Sequence, residues 1–163
     1  MAQRNKRILQ IGDVLGMDFE LPEGLERLNG WLVYNFTKQG IPQALEPLES
    51  APEGVVSWYT AGDHIQQTLK KDNGHTGARL WTAGDGSAIF NNIVQGGHNN
   101  KAQLDVSGSY PLGRYWESTE FVLGPGGAVA RCLHVDLARD WRSRNDVARV
   151  RAVLDVPALA RQL

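Results

Sequence analysis

Apolar positions in the first third of the chain come in short alternating bursts separated by turn-forming residues. "KRILQIGDVL" (residues 6–15) and "GWLVYNFT" (residues 30–37) carry Val, Ile, Leu and aromatic residues at strand spacing, the second ending at "KQG". They predict two antiparallel strands of one sheet. The intervening "GMDFELPEGLERL" fits a long hairpin excursion or a short helix after Pro22, because Leu21, Leu25 and Leu28 recur at helical spacing. "PQALEPLES", bounded by Pro42 and Pro47, predicts an edge strand, since proline cannot donate to a ladder on both sides.

The pattern then changes to a period near 3.6. "TAGDHIQQTLKK" predicts a helix with Thr60 as N-cap, Asp63 in the first turn, Ile65 and Leu69 on its apolar stripe and Lys70 and Lys71 at its end. A second helix is predicted to start at Thr82 or Asp85 and run through "SAIFNNIVQ", with Ile89, Phe90 and Ile93 inward and Gly96–Gly97 as its stop. After a polar tract, "GGHNNKAQ", strand spacing returns in "YWESTEFVL", "AVARCLHVDL" and "VARVRAVLDV", with a turn at "GPGG". The element order predicts an α+β domain, two helices packed on small antiparallel sheets, loop-rich, over residues 1–163.

Composition narrows the function classes. A chain of 163 residues with 42% apolar residues can bury one ordinary core, and a net charge of −1 with dispersed basic residues argues against nucleic acid as a partner. No apolar run reaches the length of a membrane span or a signal peptide, so neither membrane insertion nor Sec export is expected. Cys132 is the single cysteine, which leaves no intrachain disulfide and no thiolate metal cluster. A chain made in the cytoplasm, or carried on a particle assembled there, fits these features.

The densest chemistry lies in "GRYWESTE" (residues 113–120). As a strand it places Tyr115 and Trp116 on opposite faces, with Thr119 and Glu120 free to cap backbone or pair with an arginine. Glu117 and Glu120 as a catalytic pair would need a sugar-sized cleft between them, which adjacency in sequence does not supply. His64, His75, His98 and His134 show no paired metal spacing, so no metal and no cofactor is expected. "HVD" puts His134 and Asp136 on one strand face, where they could orient a base; a hydrolase or transferase using them with Glu117 or Glu120 is one alternative reading. "EPL" at 46–48 and "RND" at 144–146 are fragments of calcium-lectin signals, and "GDGS" and "GPGG" lack the setting of a phosphate loop.

The order of several of these pieces resembles the C-terminal domain family of collagen-like bacterial adhesins. They are "IGDVL" before "GWLVYNFTKQG", the Arg-Leu pair and second helix in "ARLWTAGDGSAIFNNI", "YWESTE", and the closing "VARVRAV". The resemblance implies a C-type-lectin-like fold, shared with formylglycine-generating enzymes and with the variable proteins of diversity-generating retroelements. Formylglycine chemistry uses paired cysteines, and this chain has one.

Surface recognition is the remaining chemistry. "ARDWRSRND" (residues 138–146) is expected to be a loop or hairpin tip presenting Arg139, Trp141, Arg142, Arg144 and Asn145. Trp and Arg are enriched at binding hot spots, where a rigid ring buries area and a guanidinium makes forked bonds. The alternative is that Trp141 folds onto the core and the arginines pair with Asp140 and Asp146. His98, Asn99 and Asn100 form a second candidate suited to hydrogen-bonding a glycan. In the resembling variable proteins, ligand contacts lie late in the chain. The expected function is therefore a non-catalytic module that binds a cell-surface glycan or protein, as at a phage tail-fibre or injection-particle tip, where a homotrimer is one expected state. A structural virion or assembly protein, with "ARDWRSRND" as a subunit interface, is the other alternative.

Overall fold

Among the described residues, two three-stranded antiparallel sheets and two α-helices form the frame, which establishes the α+β class. The computed structural model describes residues 8–47, 50–51, 55–71, 77–94, 114–122, 128–134, 139–143 and 148–160; at 70–71, 94, 114, 119–122, 128–134 and 139–143 it describes the backbone. The elements are β1 (Leu32–Phe36), β2 (Pro42–Leu45), α1 (Trp58–Lys71), α2 (Ala83–Ile89), β3 (Arg114–Val122), β4 (Ala128–His134), β5 (Arg139–Ser143) and β6 (Val153–Asp155).

The first sheet has the order β1-β2-β6 and carries an apolar cluster on each face. Strand alternation divides its side chains between two apolar clusters. Val33, Ala44 and Leu154 point to the side where α1 contributes Ala61 and Ile65. Leu32, Leu45 and Val153 point to the side of Trp81, Ile89, Phe90 and Ile93. Period-2 burial from the strands and period-3.6 burial from the helices thus meet in a layered core.

Several expectations are corrected. β2 is the central strand, not an edge, because Pro42 is its first residue and Pro47 lies beyond its last, so neither proline interrupts the ladder to β6. Residues 8–15 give isolated bridges at Val14 and Leu15 instead of a continuous strand. Asp13 and Asp18 turn the backbone there by accepting from Gln10 N and Val14 N at 2.8 and 2.9 Å. The 22–28 excursion contains a single 3-10 turn, Glu26–Leu28. α1 begins at Trp58, two residues before Thr60, because the Ser57 hydroxyl accepts from Thr60 N and serves the helix start.

α2 starts as its sequence predicts. Thr82 accepts from Asp85 N and the Asp85 carboxylate accepts from Thr82 N, a reciprocal capping box, and the chain continues past Ile89 as a π-helical turn, Phe90–Val94. Gly96–Gly97 and "GPGG" lie outside the described residues.

The second sheet, β3-β4-β5, is sewn to the first body along the outer edge of β3. Trp116 N donates to Arg149 O at 3.0 Å and Ser118 N to Trp81 O at 2.7 Å. Between Trp116 and Glu120 the β3–β4 register slips, so 117–119 bulge away from β4. That bulge frees the backbone at Glu117–Ser118 to pair with Trp81. Tyr115 and Trp116 sit in different apolar clusters, on opposite faces, as the alternation predicts.

Two glycines yield opposite expected results. At Gly16, φ is +85° and an added Cβ would lie 1.7 Å from Asn29 Oδ1, whereas Gly62 lies within α1 with nothing within 4 Å of such an atom. Gly62→Ala is expected to raise stability by about 0.5–1 kcal/mol. Gly16→Ala is expected to lower it by more than about 1 kcal/mol. Urea unfolding of the two variants checks both signs.

Candidate functional site

β5 is the outer strand of the second sheet and the element farthest in pairing order from the edge that docks on the core. It contains Arg139, Trp141 and Arg142, so the structure brings three of the sequence-predicted residues onto five consecutive positions. This corrects the expected loop or hairpin tip over 139–143. Val129↔Ser143, Ala130↔Arg142, Arg131↔Trp141, Cys132↔Asp140 and Leu133↔Arg139 pair without a break. The unbroken backbone ladder that β4 offers outweighs the polar composition of β5. Arg144, Asn145, His98, Asn99 and Asn100 lie outside the described residues.

The residues of the hydrolase alternative are distributed along β3 and β4. His134 pairs with Arg114 at one end of the ladder and Glu120 with Ala130 towards the other. His134 lies four residue steps along β4 from Ala130, roughly 13 Å of backbone. Glu117 is fully buried, in the bulge whose carbonyl accepts from the Trp58 indole N–H at 3.2 Å. It faces no solvent-filled cleft. Asp136 lies outside the described residues.

Two constellations in the first body were not predicted from sequence. In one, Glu46, buried at the end of β2, accepts from Ala152 N at 3.0 Å and holds His64 Nε2 at 2.8 Å from both carboxylate oxygens. The Arg151 guanidinium donates to the Glu46 carbonyl through Nε, at 2.8 Å, and through Nη2. These contacts join β2, α1 and the run into β6. These contacts satisfy buried groups: His64 and Ala152 N offset the lost hydration of the carboxylate, and Arg151 satisfies the Glu46 backbone carbonyl.

The second is a polar row across β1, β2 and β6. Asn35 pairs in register with Gln43, and Gln43 with Asp155. Asn35 Nδ2 donates to Gln43 Oε1 at 2.9 Å, and Gln43 Nε2 donates to Asp155 Oδ1 at 2.9 Å. Arg79 extends the row past β6 by an ion pair to Asp155 Oδ1 at 3.2 Å, and forks onto Asp85 with Nε and Nη2 at 3.2 and 3.0 Å. On the β1 side Asn92 reaches Asn35 Oδ1 at 3.4 Å and Tyr34 O at 2.9 Å. A one-residue slip in the β1–β2 register at Tyr34 lets adjacent Tyr34 and Asn35 both join it, Tyr34 by donating to Asp85 Oδ1 at 2.9 Å. Single polar residues in three separate strands give no sequence signal; only their register assembles them.

This network sets its own protonation. Burial pushes the Tyr34 phenol well above its ordinary value, and the Asp85 carboxylate adds to the rise. Burial by itself would lower the Arg79 guanidinium, but the hydrogen bond and charge of Asp85 outweigh it and raise it. Because the folded phenol titrates above the unfolded one, its contribution is fully present below about pH 10, where the unfolded phenol titrates, and is lost as pH rises beyond that. Urea midpoints measured between about pH 8 and about pH 11 are expected to fall at the alkaline end, and less steeply in Tyr34→Phe.

Among the described residues no group of three or more His, Cys, Asp or Glu side chains is placed to hold a metal ion. No described helix is long and apolar enough to cross a membrane. Neither a family model nor a curated protein matches the chain.

Proposed function

We propose that this domain is a non-catalytic binding module of C-type-lectin-like type, and that it recognises a cell-surface glycan or protein through β5 and the residues that follow it. The observation that carries the reading is the placement of Arg139, Trp141 and Arg142 on the outer strand of a sheet held to the core by its opposite edge. Among the described residues β5 pairs on one side only, and a strand edge left in that way can take up a further chain or ligand. Buried carboxylates elsewhere serve packing: Asp85 closes a helix cap and Glu46 ties β2 to α1. Display on a phage fibre or injection-particle tip, as a homotrimer, would give a weak single site the avidity it needs.

Trp141→Ala and Arg142→Ala test the location. Both variants are expected to keep the wild-type unfolding midpoint within a few degrees while losing retention on intact bacterial cells that hold the wild type. Retention unchanged in both would move the site away from β5.

A further inference from the structure

The polar row on the first sheet has unused hydrogen-bonding capacity directed outward. Asp155 Oδ2 and Arg79 Nη1 have no hydrogen-bond partner among the described residues, and the side chains are 41% and 32% exposed. The one buried side-chain polar atom without a partner among those residues is Trp81 Nε1, so these two atoms reach solvent. Asn35 Nδ2 and Gln43 Nε2 each use one N–H within the row and retain a second. Every side chain in the row is held by its neighbour before any ligand arrives, which limits the ordering entropy that binding would cost.

Charge selects the ligand class. Asp85 and Asp155 flank Arg79, whose Nη2 lies 3.0 and 3.2 Å from an oxygen of each. An anion approaching Arg79 Nη1 meets two carboxylates, and a cation approaching Asp155 Oδ2 meets the guanidinium. A neutral ligand with adjacent hydroxyls escapes both repulsions, because each hydroxyl donates as well as accepts. One would donate to Asp155 Oδ2 while its neighbour accepts from Arg79 Nη1 or the Gln43 amide. Three strands set the row at ~10 Å, the footprint of one or two sugar rings.

We infer that Asn35, Gln43, Asp155 and Arg79 form a binding site for a neutral saccharide on the first sheet, separate from β5. The site does not depend on the β5 reading, and either can fail without the other.

Titration of isotope-labelled protein with the methyl glycosides of mannose, galactose, glucose and fucose tests it, with glucuronate and inorganic phosphate as anionic counterparts. The side-chain amide signals of Asn35 and Gln43 are expected to shift saturably with at least one neutral glycoside and not with either anion. Asp155→Ala is expected to weaken that response about tenfold, the loss of one charge-assisted hydrogen bond, and Trp141→Ala to leave it unchanged. Asp155→Asn, which keeps an acceptor for Gln43, controls for disruption of the row. Silence of both amides with all four glycosides overturns the inference, as do equal shifts with glucuronate or phosphate, or a response that Asp155→Ala leaves undiminished.

Discussion

Asp85→Ala is expected to cost about 3–5 kcal/mol, the range for removing one partner from a buried ionic network. Asp85 is 5% exposed and accepts from Tyr34 Oη, from Arg79 Nε and Nη2, and from Thr82 N. Its loss leaves a buried phenol without an acceptor, Arg79 with Asp155 alone as a counterion, and α2 without half of its capping box. The effects fall together because one carboxylate serves a strand, a bridge residue and a helix start. Native domains are stable by about 5–15 kcal/mol, so the variant stands near the limit of folding at room temperature. Asp85→Asn retains an acceptor for Tyr34 and is expected to lose less. Urea unfolding midpoints of the two variants check the order.

Trp116→Ala is expected to cost a similar amount, about 3–5 kcal/mol, by a different route. The ring is 1% exposed in the cluster that α1 covers, and its Nε1–H donates to Val56 O at 2.7 Å. Val56 O also accepts from Ala148 N at 3.0 Å, so the indole joins the segment before α1 to the segment before β6. Truncation opens a cavity and removes a tie between β3 and the first body. Trp116→Phe, which keeps most of the apolar volume and loses the hydrogen bond, is expected to cost less than half as much. Equal losses for the two variants would show that the hydrogen bond, not ring volume, dominates.

What the sequence disclosed follows from which forces are local. Strands with several β-branched and aromatic residues, β1 and β3, stand where alternation places them. The Thr82–Asp85 cap of α2 is legible because both partners lie within one turn. Tertiary pairing decided the elements that failed. Pro42 and Pro47 suggest an edge, yet the prolines fall at and beyond the ends of a central strand. "RDWRS" has a loop's composition but completes the ladder of β4. "VARVRAVLDV" has the alternation of one long strand, yet three residues of it pair as β6, while Ala148 and Arg149 bridge to Val56 and Tyr115. "YWESTE" is part strand and part bulge, with Glu117 buried and the backbone beside it turned to Trp81, a change of partner that no spacing rule contains. The polar row is the extreme case, since Asn35, Gln43, Arg79 and Asp155 lie far apart in sequence and meet only through sheet register.

The central claim is that the domain binds a surface through β5. The most direct measurement is retention of labelled protein on a broad glycan array and on whole bacterial cells, as monomer and as a tetravalent streptavidin conjugate, with Trp141→Ala alongside. Selective retention is expected, rising steeply with valency and lost in Trp141→Ala. If no glycan or cell retains the protein at either valency, the binding-module account is contradicted.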